Sequence, residues 1–279
     1  MEIFKTPETL HAWCADQKRQ GFKIGLVPTM GNLHEGHMSL IREAKQYCDK
    51  VVVSIFVNPT QFAPNEDYDN YPRTEVVDCE KCEAEGAAAA FLPAPEVLYA
   101  TDASTWVHET ELERGYCGAQ RPIHFRGVCT VVAKLFNIVQ PEIAVFGQKD
   151  FQQVAVISRM VRDLSYPIQI IRAPIVREAD GLAMSSRNAY LSAEQRVKAL
   201  SLSRALFAAQ KSVAEGERDS HTLEAAIRAE VVANDWLPDY VNVIDSATLM
   251  PIEKVVPGAS AILLACRCGG LRLIDNVLL

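Results

Sequence analysis

The chain lacks any apolar run that approaches the ~20 residues a membrane-spanning helix needs, so no membrane partner is expected. It also lacks a basic excess: 28 Lys and Arg stand against 35 Asp and Glu, a formal net charge of −7. A broad nucleic-acid surface requires a basic face, so no nucleic-acid partner is expected, although a local cationic pocket for a nucleotide stays open. The opening residues, Met1-Glu-Ile-Phe-Lys-Thr-Pro7, have no basic segment followed by an apolar core. The expectation is therefore no secretory leader and a cytoplasmic location. Internal repeats and low-complexity tracts are missing as well. The eight cysteines are scattered, and Cys79-Glu-Lys-Cys82, with metal or redox spacing, has no second pair or histidine nearby. All eight read as reduced structural thiols, with no protein-held metal.

What remains is an ordinary globular composition. At 279 residues, 49% hydrophobic and 23% charged, the chain can bury a sizeable core in one or two domains.

The most informative stretch is Val27-Pro-Thr-Met-Gly-Asn-Leu-His34-Glu-Gly-His37-Met-Ser-Leu40. A short apolar run, Lys23 to Val27, precedes it, and Met38, Ile41 and Ala44 recur after it at helical spacing. A second apolar run, Val51 to Val57, follows. This is a strand–loop–helix–strand unit, which implies parallel strands. Gly31 and Gly36 permit close backbone approach. His34 and His37 would flank a helix N-terminus, where free N–H groups and the dipole favour an anion. The alternative reading of the pair taken alone is two surface histidines at a helix start. The His-x-Gly-His pattern in this setting resembles the nucleotidyl-transferring superfamily that includes class I aminoacyl-tRNA synthetases.

Ile143 to Phe146 is a second buried strand, leading into Gly147-Gln148-Lys149-Asp150 and a helix from Phe151 to about Leu164. A glycine, a lysine and free N–H groups together repeat the phosphate chemistry of the first unit. Asn58 and Gln61 follow the Val51 to Val57 strand, at the edge where open parallel sheets bind ligands. Thr74 is expected to cap a helix to about Gly86, and Thr105 to Glu109 to form a strand. Arg121, His124 and Arg126 fall in a loop that could cover a site or lie solvated on the surface. A helix marked by Val128, Val131, Val132, Leu135 and Val139 then closes at Pro141. The loop Arg177 to Asn188, with Ser185, Ser186 and Arg187, suits closure over a phosphate or an interdomain linker. From Ser192 the pattern changes to two helices and three strands, with Ser192 and Gln195 as a capping box.

These segments resemble the pantoate–β-alanine ligase family over nearly the whole chain. The most specific are Val27 to His37, Ser54-Ile-Phe-Val-Asn-Pro59, Tyr71-Pro-Arg-Thr74, Lys134-Leu-Phe-Asn137, Phe146 to Gln153, and Asp180-Gly-Leu-Ala-Met-Ser-Ser-Arg-Asn188. The resemblance implies an ATP-dependent ligase that forms pantoyl adenylate and pyrophosphate, then passes the pantoyl group to β-alanine with release of AMP. It implies a homodimer, and Mg²⁺ carried by the ATP phosphates. The fold expected is α/β, a Rossmann-like doubly wound parallel sheet with a smaller α+β C-terminal domain. Residues 1–175 would bind ATP and pantoate, and residues 176–279 would close over the active site.

By the same resemblance, Met30, Gly31, Asn32, Leu33, His34, Glu35, Gly36 and His37 would hold ATP. So would Gly147, Gln148, Lys149, Asp150, Val176, Met184, Ser185, Ser186 and Arg187. The catalytic set would be His37, His34, Lys149, Ser186 and Arg187. Gln61 and Gln153 would hold pantoate, with Gln61 also near β-alanine. The family usually has Glu where this chain has Gln148, for which a tuning effect at most is expected. Two other readings stay open: a nucleotidyltransferase of the same superfamily, and a non-catalytic nucleotide-binding module. Neither accounts as well for the paired glutamines and the intact cationic residues.

Overall fold

Strand runs such as Val51-Val-Val-Ser-Ile55 carry no polar alternation, so both their faces must be covered, and a parallel sheet flanked by helices does this. The computed structural model describes residues 1–64, 66–268 and 270–279. Asn65, in the turn-rich stretch from 63 to 73, lies outside them. The chain divides into two compact units, Met1–Gly147 with Gln152–Ala173, and Gln148–Phe151 with Pro174–Leu279.

The first unit runs β1 (Glu2–Phe4), α1 (Pro7–Arg19), β2 (Ile24–Thr29), α2 (Glu35–Ala44) and β3 (Lys50–Ile55). A 3₁₀ turn (Pro59–Gln61), α3 (Glu75–Ala84), β4 (Ala89–Phe91), α4 (Pro95–Leu98) and α5 (Tyr116–Gln120) follow. Then come α6 (His124–Val139), β5 (Ile143–Gly147), α7 (Phe151–Asp163) and β6 (Gln169–Ala173). Among the described residues the six strands form one parallel sheet in the order β1-β4-β3-β2-β5-β6. The order reverses at β2, which pairs with β3 on one side and β5 on the other, so the switch point lies at the carboxyl ends of β2 and β5. Ile24, Leu26, Val27, Val52, Val53, Ala144 and Val145 are fully buried in this sheet. Thr6 caps α1 with Pro7 at its first position, as the sequence predicts.

Two local expectations are corrected. Thr105 to Glu109 is not a strand: the Val107 N–H donates to the Thr130 hydroxyl on α6 at 3.0 Å, and Arg126 stacks on Trp106. A side chain there supplies what a neighbouring strand would. Arg121 to Arg126 is not one loop either, because α6 begins at His124, a turn before Val128. Its first turn is polar and aromatic, so apolar periodicity could not reveal it.

The second unit contains the turn 148–151 and a 3₁₀ turn (Ser186–Tyr190), then α8 (Ala193–Ala214), α9 (Ser220–Ala233), β7 (Leu237–Asp245), β8 (Ser260–Cys268) and β9 (Leu271–Leu278). The strands form an antiparallel sheet in the order β7-β8-β9. The Ser192/Gln195 capping box is present. Trp236, Leu202, Leu206, Ile227, Val243 and Leu264 fill a core between this sheet and its two helices. Residues 148–151 group with this unit, although a boundary at 175/176 would put them in the first. The physical reason is Asn276 on β9, whose Nδ2 donates to the carbonyls of Gln148 and Lys149, each at 3.0 Å. All eight cysteines are thiols, and burial pushes that of Cys82 up to about 12. Among the described residues, no helix is long and apolar enough to cross a membrane.

Candidate active site

The loop after β2 turns through two left-handed residues, Gly31 (φ 82°) and Asn32 (φ 50°), before α2 starts. Gly31 is required twice over. Its φ favours glycine, and a Cβ there would stand 3.1 Å from Asp78 Oδ2 and 3.3 Å from an Ile55 methyl. Asp78, fully buried on α3, accepts the backbone N–H groups of Asn32 (2.9 Å) and Leu33 (2.8 Å) and the Thr74 hydroxyl (3.0 Å). Thr74 therefore binds Asp78 instead of capping the α3 backbone. One turn along, Lys81 donates to the Leu33 carbonyl at 2.6 Å. Thus α3 clasps both polar groups of one peptide-loop residue. Sequence reasoning missed Asp78 and Lys81, since they sit some 45 residues away in a plain amphipathic helix.

His34 takes the N-cap position of α2, a place usually held by Ser, Thr, Asp or Asn. Its Nδ1 accepts the Gly36 N–H at 3.1 Å, and His37 Nδ1 accepts the His34 N–H at 3.2 Å. The rings lie 4.1 Å apart between centroids. Because each Nδ1 accepts, each neutral ring carries its proton on Nε2. The backbone thus selects the tautomer that leaves both imidazoles as Nε2–H donors at a helix start.

Gln61 ends its 3₁₀ turn and is buried. Asn58 Nδ2 donates to Gln61 Oε1 (3.1 Å) and to the Gly127 carbonyl (3.2 Å), while Asn58 Oδ1 accepts from Thr60 and Tyr99. With Oε1 taken, Gln61 presents its amide nitrogen, which lies 2.9 Å from Met30 Sδ. A donor aimed beside the β2 end suits a carboxylate or hydroxyl oxygen. The adjacent glutamines of α7 differ in use. Gln152 is buried and fully engaged, donating to the Leu112 and Gly115 carbonyls (2.8 Å each) and accepting from the Cys117 N–H (2.9 Å). Gln153 is half-buried on the next position. A cavity of about 400 Å³ at the same sheet edge is bordered by Met30, Gly31, Val57, Arg73 and Leu92, and not by His34, His37 or Gln61.

In the second unit, the turn Gln148–Asp150 is fixed by Asn276, which also accepts from Gln148 Nε2 at 3.2 Å. Lys149 is about four-fifths buried by side chain, with Asp150 Oδ1 at 4.0 Å. Beside Asn276, buried Asp275 grips Arg177 bidentately at 2.7 and 3.0 Å. Burial raises the Asp275 carboxyl above its usual value despite Arg177. Val176 and Met184 are joined by a 3.0 Å backbone hydrogen bond, and Arg177 bridges to Ala183. Ser185 caps the short turn containing Ser186 and Arg187, its Oγ accepting the Arg187 N–H at 3.3 Å. Arg196 holds the base of this loop through Glu178 and Asp180.

The first unit therefore gathers Met30 to His37 with Gln61, and the second gathers Gln148 to Asp150 and, separately, Val176 with Met184 to Arg187. These groups carry imidazole, ammonium, guanidinium, hydroxyl and backbone N–H donors, a set matched to phosphate oxygens. None of them is set up as a covalent nucleophile.

Comparisons agree with this chemistry. The family model described as pantoate-beta-alanine ligase matches residues 2–278. The chain is 51% identical to the pantothenate synthetase of Myxococcus xanthus over 277 residues, covering 99% of this chain and 95% of that one. It overlays the crystal structure of pantothenate synthetase from Thermus thermophilus with a TM-score of 0.93 at 41% identity, over 100% and 99% of the two chains. A pantoate-beta-alanine ligase from Francisella tularensis, solved with beta-gamma ATP and beta-alanine, overlays at 0.82 with 33% identity, over 100% and 97%. The chain belongs to the pantoate–β-alanine ligase family.

Proposed function

We propose that this chain condenses pantoate with β-alanine at the expense of ATP, through the residues described above. A pantoate carboxylate oxygen attacks the α-phosphorus, and the bond from that phosphorus to the β-phosphate bridge breaks. Pantoyl adenylate and pyrophosphate result. The β-alanine amine then attacks the acyl carbon, the bond to the phosphate oxygen breaks, AMP leaves, and the amine gives up a proton.

Attack on phosphorus among negative oxygens is opposed by repulsion, so preorganised donors toward the α-phosphate and leaving pyrophosphate lower the barrier. His34 and His37 supply Nε2–H donors, and Lys149, Ser185, Ser186 and Arg187 supply the rest. Gly147, Gln148, Asp150, Val176 and Met184 line the nucleotide. Gln61 and Gln153 grip pantoate without neutralising its attacking carboxylate. The observation that carries this reading is the reciprocal His34/His37 capping, which fixes both tautomers as donors. Every phosphate-directed group named is a cation or neutral donor. That set fits phosphate oxygens and not a metal ion, so Mg²⁺ would be held by the ATP phosphates themselves, where it neutralises charge on the leaving group. The reading includes residues 1–175 as the substrate-binding domain and 176–279 as the closing one, a homodimer, and a cytoplasmic location.

The test is substrate dependence. Pyrophosphate release should require pantoate and ATP, and AMP release should additionally require β-alanine. Pyrophosphate release without pantoate, or AMP transfer onto a phosphate acceptor, would favour the superfamily's nucleotidyltransferases. Gln153→Ala should damage pantoate-dependent pyrophosphate release before it alters β-alanine saturation.

A further inference from the structure

Outside the residues assigned above, one half-buried polar cluster around buried His124 converges on a single atom of the site, the carbonyl oxygen of Gln61. His124 Nδ1 lies 3.1 Å from it and Arg121 Nη2 donates to it at 3.3 Å. A carbonyl only accepts, so His124 carries its proton on Nδ1, and its Nε2 lone pair accepts from Arg121 Nη1 at 3.2 Å. The remaining side of the guanidinium fork is taken by Glu66, with Nε to Oε1 at 2.5 Å and Nη2 to Oε2 at 2.8 Å. Glu66 is in turn held by the Ala63 N–H at 3.0 Å. Burial raises the Glu66 carboxyl, but the hydrogen bonds from Arg121 and Ala63 outweigh it and hold it below its ordinary value. Behind the preceding Thr60–Gln61 peptide stands Gly127 of α6. A Cβ there would come within 2.5 Å of the Thr60 oxygen and 2.7 Å of Gln61 Cα.

We propose that Arg121 and His124 are positioning residues for the pantoate end of the site, fixing the Gln61 peptide while Glu66 orients the Arg121 fork. Asn58 fixes Oε1 of Gln61, Gly127 backs the Thr60–Gln61 peptide on its amino side, and Arg121 with His124 fixes the Gln61 carbonyl. The amide nitrogen of Gln61 is then located by constraints on both ends of the residue. Misplacing a substrate-holding group by about 1 Å can cost on the order of 10² in rate. The cluster also ties the stretch after Gln61 to the start of α6, segments that the sequence keeps far apart. Lysine cannot replace the arginine, since one ammonium cannot reach Glu66, His124 and the Gln61 carbonyl in the same plane.

This rests on the assignment of Gln61 to pantoate, and the experiment separates the two claims. Steady-state pyrophosphate release would be measured for Gln61→Ala, Arg121→Lys, Arg121→Ala, Glu66→Gln, His124→Ala and His124→Asn, with thermal melts confirming folding. Arg121→Lys and His124→Ala should raise the pantoate KM about tenfold or more, with the ATP KM within about twofold. His124→Asn, whose Nδ2 can replace Nδ1 as donor, should recover most of the loss. In a Gln61→Ala background, Arg121→Lys should add almost nothing. An unchanged pantoate KM in Gln61→Ala would overturn the pantoate assignment and this inference with it. A raised KM there beside a normal one in folded Arg121→Lys and Glu66→Gln would overturn the positioning role alone. So would pantoate and ATP KM values rising together, or full additivity with Gln61→Ala.

Discussion

Asp78 accepts the Leu33 N–H at 2.8 Å while Lys81, one turn later on the same helix, donates to the Leu33 carbonyl at 2.6 Å. The loop that carries the histidine motif is thus set by a helix that holds none of the expected site residues. Asp78→Asn keeps the shape but places an NH₂ group against backbone donors. It should destabilise the first unit by about 2 kcal/mol, the cost of leaving a buried donor unpaired. The adenylation rate should fall as well. Denaturant melts and pyrophosphate release check both, and an unchanged rate would mean the loop holds its shape without α3.

His37→Ala should lower the melt by no more than the loss of one cap bond, about 1 kcal/mol, because its half-buried ring supports little packing beyond its Nδ1 bond to the His34 N–H. Its adenylation rate should drop by about 10²–10³, the usual loss for one preorganised donor. Lys149→Ala should lose comparable rate and also raise the ATP KM. Single-turnover pyrophosphate release separates the two effects, and near-normal turnover in either variant would remove that residue from the catalytic set.

Gln148 donates to Asn276 Oδ1, while Asn276 Nδ2 is committed to two backbone carbonyls. Gln148→Glu would place a carboxylate against an oxygen that cannot easily turn away. We expect a loss of about 1 kcal/mol in stability and an ATP KM changed by only a few-fold. Asn276→Ala, which strips donors from the turn itself, should raise the ATP KM more than Gln148→Glu does. The opposite order would mean the Gln148 side chain, and not the turn, is what ATP reads.

The base of the 177–188 loop should respond to acid. Hydrogen bonds from Arg196 hold Glu178 and Asp180 below their ordinary values, against a smaller opposing effect of burial. A depressed folded value means the stabilisation is complete above the unfolded values, about 4.3 and 3.9. It is lost as pH falls through the folded ones. Arg196→Ala should therefore melt lower than the unmodified chain near pH 7, and the gap should shrink between about pH 5 and pH 3. A gap independent of pH would show that Arg196 stabilises by packing alone.

The sequence by itself determined the alternation of apolar runs and amphipathic helices, and hence the parallel sheet and its carboxyl edge. It also determined the caps at Thr6 and Ser192 and the histidine and Gly-x-Lys-Asp motifs, because each is a local pattern in which spacing and residue type act over a few positions. Tertiary structure alone decided what holds those motifs. Asp78 and Lys81 on Leu33, Asn276 on the 148–149 carbonyls, and Arg121 with His124 on the Gln61 carbonyl join residues 45 to 128 positions apart. Such pairs leave no periodicity, since a buried hydrogen bond needs one partner at one point in space and not a repeating face. The same reason explains the two corrected segments. Val107 is bonded by a threonine hydroxyl from another element, and α6 opens with His124 and Arg126, whose partners Gln61 and Trp106 come from elsewhere in the fold.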